Sequence, residues 1–444
     1  MGARRAAATN RKARVKRFHN LKLWPGPDCN KRNPLAILAL IATCQTACQL
    51  SQMHDLSSAS PRVEANSLRF ATILIGIGAA TAAAHIGNNF TTYLVGALMD
   101  RFGFTPFAMG AWNMAETLSY AAAMFLVAPR ARGLDARVLA MAASAVVIAA
   151  QAGSALTGAY PLLFLGRIGT GLGFGLMNSA LNLAAGRTGN PARWISVGIA
   201  VQTLLYSGIA IVLPMIGRDH GSAGMFFGLA GISVLFGLCA LLLPGGKGGV
   251  VEGAATGPVP IGAEGARVLA AMALFAFGSL AIWPFIERTA HAIGIPATQF
   301  GLYQSAAVLV SAVGNAGLAL VIGRLPRAWP LAAALGVCSL MCALLTTVGS
   351  APAFGAAFVA FMVSWFLTYP LLIRLAYAQP AGERLAVMTS GTWLLAQSLG
   401  SLAAGAMAQG FGAYTLIGPV GGVICALAIV AALPVARRLD REAA

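Results

Sequence analysis

From residue 68 to residue 436 the chain is a string of twelve apolar runs, separated by short loops that hold many of its arginines. Each run is roughly 18–25 residues long, and an α-helix needs about 20 to cross the hydrocarbon core of a bilayer. Of 444 residues, 58% are hydrophobic and 10% charged, against about 25% charged in a typical soluble chain. A water-soluble domain so poor in charge would aggregate, so the bilayer must be the solvent. The 52 glycines fit this setting, because helices in lipid approach closely through small side chains.

The runs cover 68–94, 106–127, 138–156, 161–185, 194–216 and 223–243, then 268–286, 301–322, 331–348, 354–376, 385–408 and 414–436. Between the two sets lies 244–265, a Gly-, Pro- and Ala-rich stretch with one lysine and two glutamates. It is too polar and flexible to span a membrane and reads as a linker. The expected organisation is an N-terminal extension (1–67), a six-helix bundle (68–243), a cytoplasmic linker (244–265), a second six-helix bundle (266–436) and a short tail (437–444). The fold class is therefore all-α polytopic membrane protein, twelve transmembrane helices in two bundles.

Loop charges orient the array. If the first run starts in the cytoplasm, the inside loops and tail hold Arg130, Arg132, Arg137, Arg187, Arg193, Lys247 and Arg267. They also hold Arg324, Arg327, Arg374, Arg384, Arg437, Arg438 and Arg441, whereas the outside loops hold only Arg101, Arg218 and Arg288. Fourteen against three follows the positive-inside rule. Both ends of the helical body are expected in the cytoplasm, in a membrane such as the bacterial inner membrane.

This orientation bears on the extension. Residues 1–34 are basic and polar, and 34–50 form an apolar stretch, so the segment resembles a signal peptide. A cleaved signal or a thirteenth span would invert every loop, against the charge count. The expectation is that residues 1–52 are disordered or stem from an upstream start assignment, with Met53 the natural first residue. The formal charge of +17 does not point to nucleic acid: ten of the 30 basic residues precede Pro34 and most others flank apolar runs. No basic-aromatic module follows the tail. The seven cysteines show no paired framework, and no His or carboxylate stands at ligand spacing from them. No metal and no cofactor are expected.

Polar groups inside the runs carry the functional signal, since each is costly in hydrocarbon unless it faces protein or water. They align at helical spacing. On the first run Thr81, His85, Asn88, Asn89 and Thr92 share a face, and on the second Asn113, Glu116 and Tyr120 do. Glu116 lies about ten residues into its helix, roughly 15 Å from the end and near the midplane. It is the one carboxylate well inside any run. The fourth run places Arg167, Gly171, Gly175, Asn178 and Asn182 on one stripe. Arg167 cannot titrate at physiological pH, so its part is to pair with an acid or bind an anion. The seventh run aligns Ser279, Trp283 and Glu287, with Glu287 expected to pair locally or face water. Gln304, Ser311 and Asn315 align on the eighth, Trp365, Thr368 and Tyr369 on the tenth, and Ser390, Trp393 and Gln397 on the eleventh. Gln202 on the fifth matches Gln397 after similar loops, a faint sign of repetition between the halves. Together the stripes describe a polar path with aromatic walls.

A twelve-span chain split six plus six, with both ends inside, resembles the major facilitator superfamily. The fourth run adds Arg167-x-x-x-Gly171-x-Gly173-x-Gly175 after Leu165-Gly166, similar to that family's arginine followed by spaced glycines. The resemblance covers about Leu68 to Ala436, and it implies a role in proton coupling for Arg167. Departures exist. Of the signature loop after the second span, Gly133-Leu134-Asp135-Ala136-Arg137 remains, and its counterpart keeps Gly323-Arg324 and Arg327 without an acid. The fifth-span antiporter pattern is reduced to Gly208, Pro214 and Gly217.

The resemblance implies a two-bundle alternating-access carrier that moves a small organic solute, coupled to protons, with the lipid bilayer as its surroundings and a monomer as its unit. Glu116 is the candidate proton acceptor, tuned by Arg167 or His85. Asn88, Asn89, Asn178, Gln202, Gln304, Trp365, Trp393 and Gln397 are candidate cavity contacts. Asp135, Arg137 and Arg324 are candidate gating-loop residues. A facilitative uniporter and an efflux antiporter share this fold. The runs hold one central carboxylate and one histidine, too few for a membrane-embedded enzyme, so no enzymatic activity is expected.

Overall fold

A computed structural model of the chain describes residues 61–127, 133–188, 191–246, 261–380 and 382–443. The expectations for 1–60 and for most of the linker (247–260) lie outside the described residues. Among the described residues, eleven long helical elements make up the fold. They are α1 (Pro61–Phe102), α2 (Pro106–Val127), α3 (Ala136–Ala155), α4 (Tyr160–Gly186), α5 (Pro191–Ala240) and α6 (Ala263–Leu280). After α6 come a 3-10 turn (Trp283–Phe285) and a short helix (Ile286–Ala292). Then follow α7 (Ala297–Val321), α8 (Ala328–Leu345), α9 (Ala351–Tyr377), α10 (Gly382–Phe411) and α11 (Ile417–Ala443). Seven helical stretches among the described residues are by themselves long and apolar enough to cross a membrane. The other four, α2, α4, α7 and α10, carry Glu116, Arg167, Gln304 and Gln397.

Two expectations change here. The fifth and sixth runs are two helices that meet within α5 at one residue in place of the expected loop, Gly221, whose φ of 66° and ψ of −164° leave the helical region. In a straight helix residues 216 and 228 would stand about 18 Å apart. A methyl group placed on Gly228 would instead lie 3.3 Å from Ile216 Cδ1. The chain therefore doubles back at one residue, and only glycine tolerates that conformation cheaply. The seventh run is the second change, because its helical register does not continue to Glu287. Pro284 has no N–H and its ring clashes with the preceding turn, so α6 stops at Leu280 and the chain restarts as the 3-10 turn. Ser279 stays on α6, while Trp283 and Glu287 belong to the redirected segment. Pro370, by contrast, sits inside α9, which continues through it.

Glycines set how closely the helices meet. Methyl groups on Gly171 and Gly175 would collide with the backbone oxygens of Glu116 and Tyr120 on α2. That close approach is what brings α4's arginine to α2's carboxylate. Cys338, Cys342 and Cys425 are buried where α8 meets α11, all as free thiols. The first half (to 246) meets the second (from 261) mainly through α2 on α10 and α5 on α7.

The bundle has two unlike ends. One, here the basic end, carries Arg137, Arg187, Arg324, Arg327, Arg374 and Arg438; the other, the far end, carries the turns at Gly103, Gly221, Gly294 and Gly412.

Candidate functional site

An ion pair is buried within the first half. Arg167 Nη1 lies 2.8 Å from Glu116 Oε2, and both side chains are 1% exposed. Thr170 Oγ1 donates to the same carboxylate oxygen at 2.9 Å. The guanidinium sits 3.9 Å from the centroid of the Trp112 ring, which Trp112 holds in place by donating its indole N–H to Leu163 O at 3.0 Å. A buried charge needs such partners, since an uncompensated one costs several kcal/mol, roughly 3–5 when one member of a pair is removed. Glu116 Oε1 has no hydrogen bond. A methyl group on Gly87 of α1 would press within 2.8 Å of both carboxylate oxygens, so the absent side chain there makes room for them.

From this pair a polar relay runs to the second half. Arg167 Nη2 donates to Thr91 Oγ1 on α1. Thr91 donates to Asn113 Oδ1 at 2.9 Å, and Asn113 Nδ2 donates to Ser401 Oγ on α10 at 2.8 Å. Thr117 and Ser398 share a hydrogen bond one turn on, at 2.7 Å. The buried charge is thus connected to the seam between the halves through three side chains. Thr91, Trp112 and Thr170 were not among the sequence candidates; singly they carry no signal, because hydroxyls and indoles are common in apolar helices.

His85 does not touch Glu116. Its Nδ1 lies 2.9 Å from Thr81 O, an acceptor only, so Nδ1 carries the proton and Nε2 accepts from Tyr120 Oη at 3.3 Å. His85 therefore reaches the carboxylate's helix but not the carboxylate.

Four of the eight expected cavity residues, Asn88, Asn89, Gln304 and Gln397, make contacts across the seam. Gln397 Nε2 donates to Asn88 Oδ1, and Trp283 Nε1 donates to Asn88 O at 2.7 Å. Gln304 Nε2 donates to Asn89 O at 3.2 Å while its Oε1 accepts from Tyr93 Oη at 2.6 Å. Trp365 and Trp393 face each other with ring centroids 6.2 Å apart, and Trp365 also stacks on Phe275 and Tyr369. Both indole N–H groups are shielded from solvent and lack a partner, as does Gln397 Oε1. Asn178 stands outside this cluster, donating to Met124 Sδ at 3.4 Å. Gln202 is half-buried, and no described contact joins it to the set.

At the far end the structure adds a cluster around Arg288, which the loop count places outside the runs. Arg288 is buried and makes a forked contact with Asp100, Nη1 to Oδ1 at 2.8 Å and Nη2 to Oδ2. Arg288 Nη2 also donates to Gly96 O, and Nε lies 3.5 Å from Glu287 Oε2. Glu287 does pair locally with Arg288, as expected, but both are buried against α1, whose Thr92 Oγ1 accepts from the Glu287 N–H at 3.0 Å. Gly96 leaves the space: a methyl group there would collide with the Glu287 carboxylate.

The gating-loop candidates lie at the basic end and tie only their own half. Asp135 caps α3, accepting from the N–H of Arg137 at 2.8 Å and of Val138, and it also accepts from Gly246 N–H. The Gly246 N–H, then those of Arg137 and Val138, and the Arg187 cation hold this carboxyl below its ordinary 3.8. Arg137 Nε donates to Leu243 O at 2.7 Å, and Arg187 donates to Pro244 O and Leu134 O. Arg324 is exposed.

No family model matches the chain, and no curated protein matches it by sequence. Solved structures do match. A D-xylose-proton symporter superposes with a TM-score of 0.65 at 12% identity, over 81% of this chain and 95% of its own. The nucleoside transporter NupG superposes at 0.62 with 13% identity, over 82% and 98%. A bacterial homologue of the human lysosomal transporter Spinster, inward-facing and unoccupied, superposes at 0.57 with 13% identity, over 84% and 94%. The described residues hold helices and no strands, and the chain is an integral membrane protein. Its fold is that of the major facilitator superfamily transporters.

Proposed function

We propose that the chain is a secondary transporter that moves a small organic solute by alternating access, with twelve crossings in two six-helix bundles. The doubled-back α5 supplies two of the crossings. The observation that carries this reading is the one-sided closure of the seam. Among the described residues, every side-chain hydrogen bond between the halves involves first-half residues 88–117, on the far-end parts of α1 and α2. Among the described residues, these basic-end bonds stay within a half: Arg137 donates to Leu243 in the first, and Arg327 to Asp440 and Arg374 to Leu325 in the second. A carrier closed at one end and untied at the other is half of an alternating-access cycle. With the positive-inside orientation, the untied end is cytoplasmic.

Proton coupling is the second part of the proposal. Glu116 takes the proton, Arg167 holds the anionic form, and the Thr91–Asn113–Ser401 relay passes the change to α10. Neutralising Glu116 would free the guanidinium and loosen the relay at its source. The solute would sit among Asn88, Gln397 and the Trp365–Trp393 walls, below the Arg288 cluster. Asp135, Arg137 and Arg324 would latch the cytoplasmic end in the opposite state. One of the proteins of similar fold is a D-xylose-proton symporter, and proton coupling is extended to this chain by that likeness.

Thermal-shift screening of the purified chain against small solutes, then vesicle uptake of the hit under a pH gradient, tests the reading. Glu116→Gln should abolish accumulation while leaving solute exchange partly intact. Full accumulation in that variant would remove Glu116 from the mechanism. A uniporter is the second reading, favoured by the burial of the Glu116–Arg167 ion pair, which would serve equally to hold α2 to α4. Uptake unaffected by a proton ionophore would select it.

A further inference from the structure

We propose that the second half binds an anionic phospholipid of the basic-end leaflet in a lateral groove between α7 and α8. The two helices barely touch, and α9 forms the floor between them. The groove has a volume of about 920 Å³ and is almost wholly apolar, with Leu318, Val337, Val359, Val363 and Leu371 among its walls. It follows α9 from Pro352 to Leu371, a run of roughly 28 Å at helical rise, close to the thickness of a bilayer's hydrocarbon core. In a membrane protein such a slot opens onto lipid tails, and an acyl chain is the occupant whose shape and polarity match it.

What selects the lipid is the mouth. At the basic end the apolar stripe of α9 ends at Leu371, and Arg374 follows one turn later on the same side. Arg374 Nη2 is used by Leu325 O at 3.0 Å, while Nη1 is buried with no partner. A buried guanidinium N–H left without an acceptor is costly, so an acceptor is expected there. Arg324 and Arg327 enter from the α7–α8 loop beside the groove residue Trp329. Asp440 is the acid placed among them: it accepts from the backbone N–H of Arg327 at 2.8 Å and lies 3.6 Å from its Nη1. Arg324 remains exposed. The mouth therefore keeps two cations beyond the one that Asp440 balances, above a channel for a tail. An anionic headgroup with a phosphate satisfies both parts, and basic pockets between membrane helices on the positively charged side suit such lipids. The inference uses membrane embedding and the position of the basic end, not the transport mechanism.

Native mass spectrometry of the full chain, released from micelles holding equimolar phosphatidylglycerol and phosphatidylcholine, reads the preference. One phosphatidylglycerol should be retained in clear excess. Arg374→Gln and Arg324→Gln should each reduce that excess about fivefold, the factor expected per basic residue near a headgroup. Ala360→Phe fills the groove floor without touching the arginines, and it should abolish retention of both lipids. Each variant should keep its thermal midpoint in phosphatidylcholine alone, which separates lost binding from lost folding. Equal retention of the two lipids would overturn the proposal. So would an unchanged excess in Arg374→Gln, or displacement of the lipid by millimolar inorganic phosphate with Ala360→Phe still binding, which would leave an anion site and no lipid.

Discussion

The two ends of the bundle use the same kinds of side chain to opposite effect. At the far end, Arg288 reaches from the second half to Asp100 and Gly96 of the first, and Gln304, Trp283 and Ser401 cross in the same way. At the basic end, Arg137, Arg187, Arg327 and Arg374 each bond a backbone or carboxylate of their own half. The lesson is that charge count does not decide where a helical membrane protein is held together. The far end has few charges, but two of them, Glu287 and Arg288, are buried against the opposite half, while Asp100 is exposed; the basic end has many, mostly wet and spent locally. A surface ion pair contributes little, whereas a forked contact from a buried guanidinium fixes geometry.

Breaking the far end should have the largest effect. Arg288→Ala leaves the Glu287 carboxylate buried and unpaired, at a cost of about 3–5 kcal/mol to the closed seam. A cysteine placed at Asn89 should be labelled by an impermeant maleimide from the basic side in the parent chain and from the far side in the Arg288→Ala background. An unchanged labelling side would show that the cluster is no latch. Gly405→Val acts on the same seam with less force. A side chain there meets the Pro106 carbonyl and Gly110 Cα, and overpacking costs about 1–3 kcal/mol. It should shift the same labelling partway, and labelling identical to the parent would mean that α2 and α10 part easily.

The smallest effect belongs to the basic end. Asp135→Ala removes an N-cap and should cost about 1 kcal/mol of stability, seen as a lower thermal midpoint with the labelling side unchanged. The sign of its pH dependence follows from the depressed carboxyl. The Asp135 contribution is fully present above the ordinary 3.8 and is lost as pH falls through the lower folded value. The parent and the variant should therefore converge in strong acid and differ at neutral pH. A difference that grew on acidification would contradict the cap assignment.

Legibility from sequence followed the range of the interaction. Helix existence was readable almost everywhere, because apolar length and helical spacing are local; α2 matches the expected run at both ends. Glu116 and Arg167 were readable as oddities, since a charge in hydrocarbon is rare. Their partnership is left open in the sequence between Arg167 and His85 as the neighbour of Glu116, because it depends on Gly171 letting α4 approach α2. Arg288 was misplaced into a loop because Pro284 redirects the chain after α6, and the sequence does not say where the restarted segment points. His85, the alternative to Arg167 for tuning Glu116, has its ring turned to Tyr120.

What the sequence determined by itself was the solvent of this protein, its helical content and which helices must hide polar groups, all consequences of composition and a 3.6-residue period. What only the tertiary structure decided was partnership: which acid meets which arginine, that the seam is tied at one end, and that α7 and α8 leave a groove between them. Those depend on distances between residues up to 309 positions apart, as between Asn88 and Gln397. Helix packing sets such distances, and no local pattern encodes them.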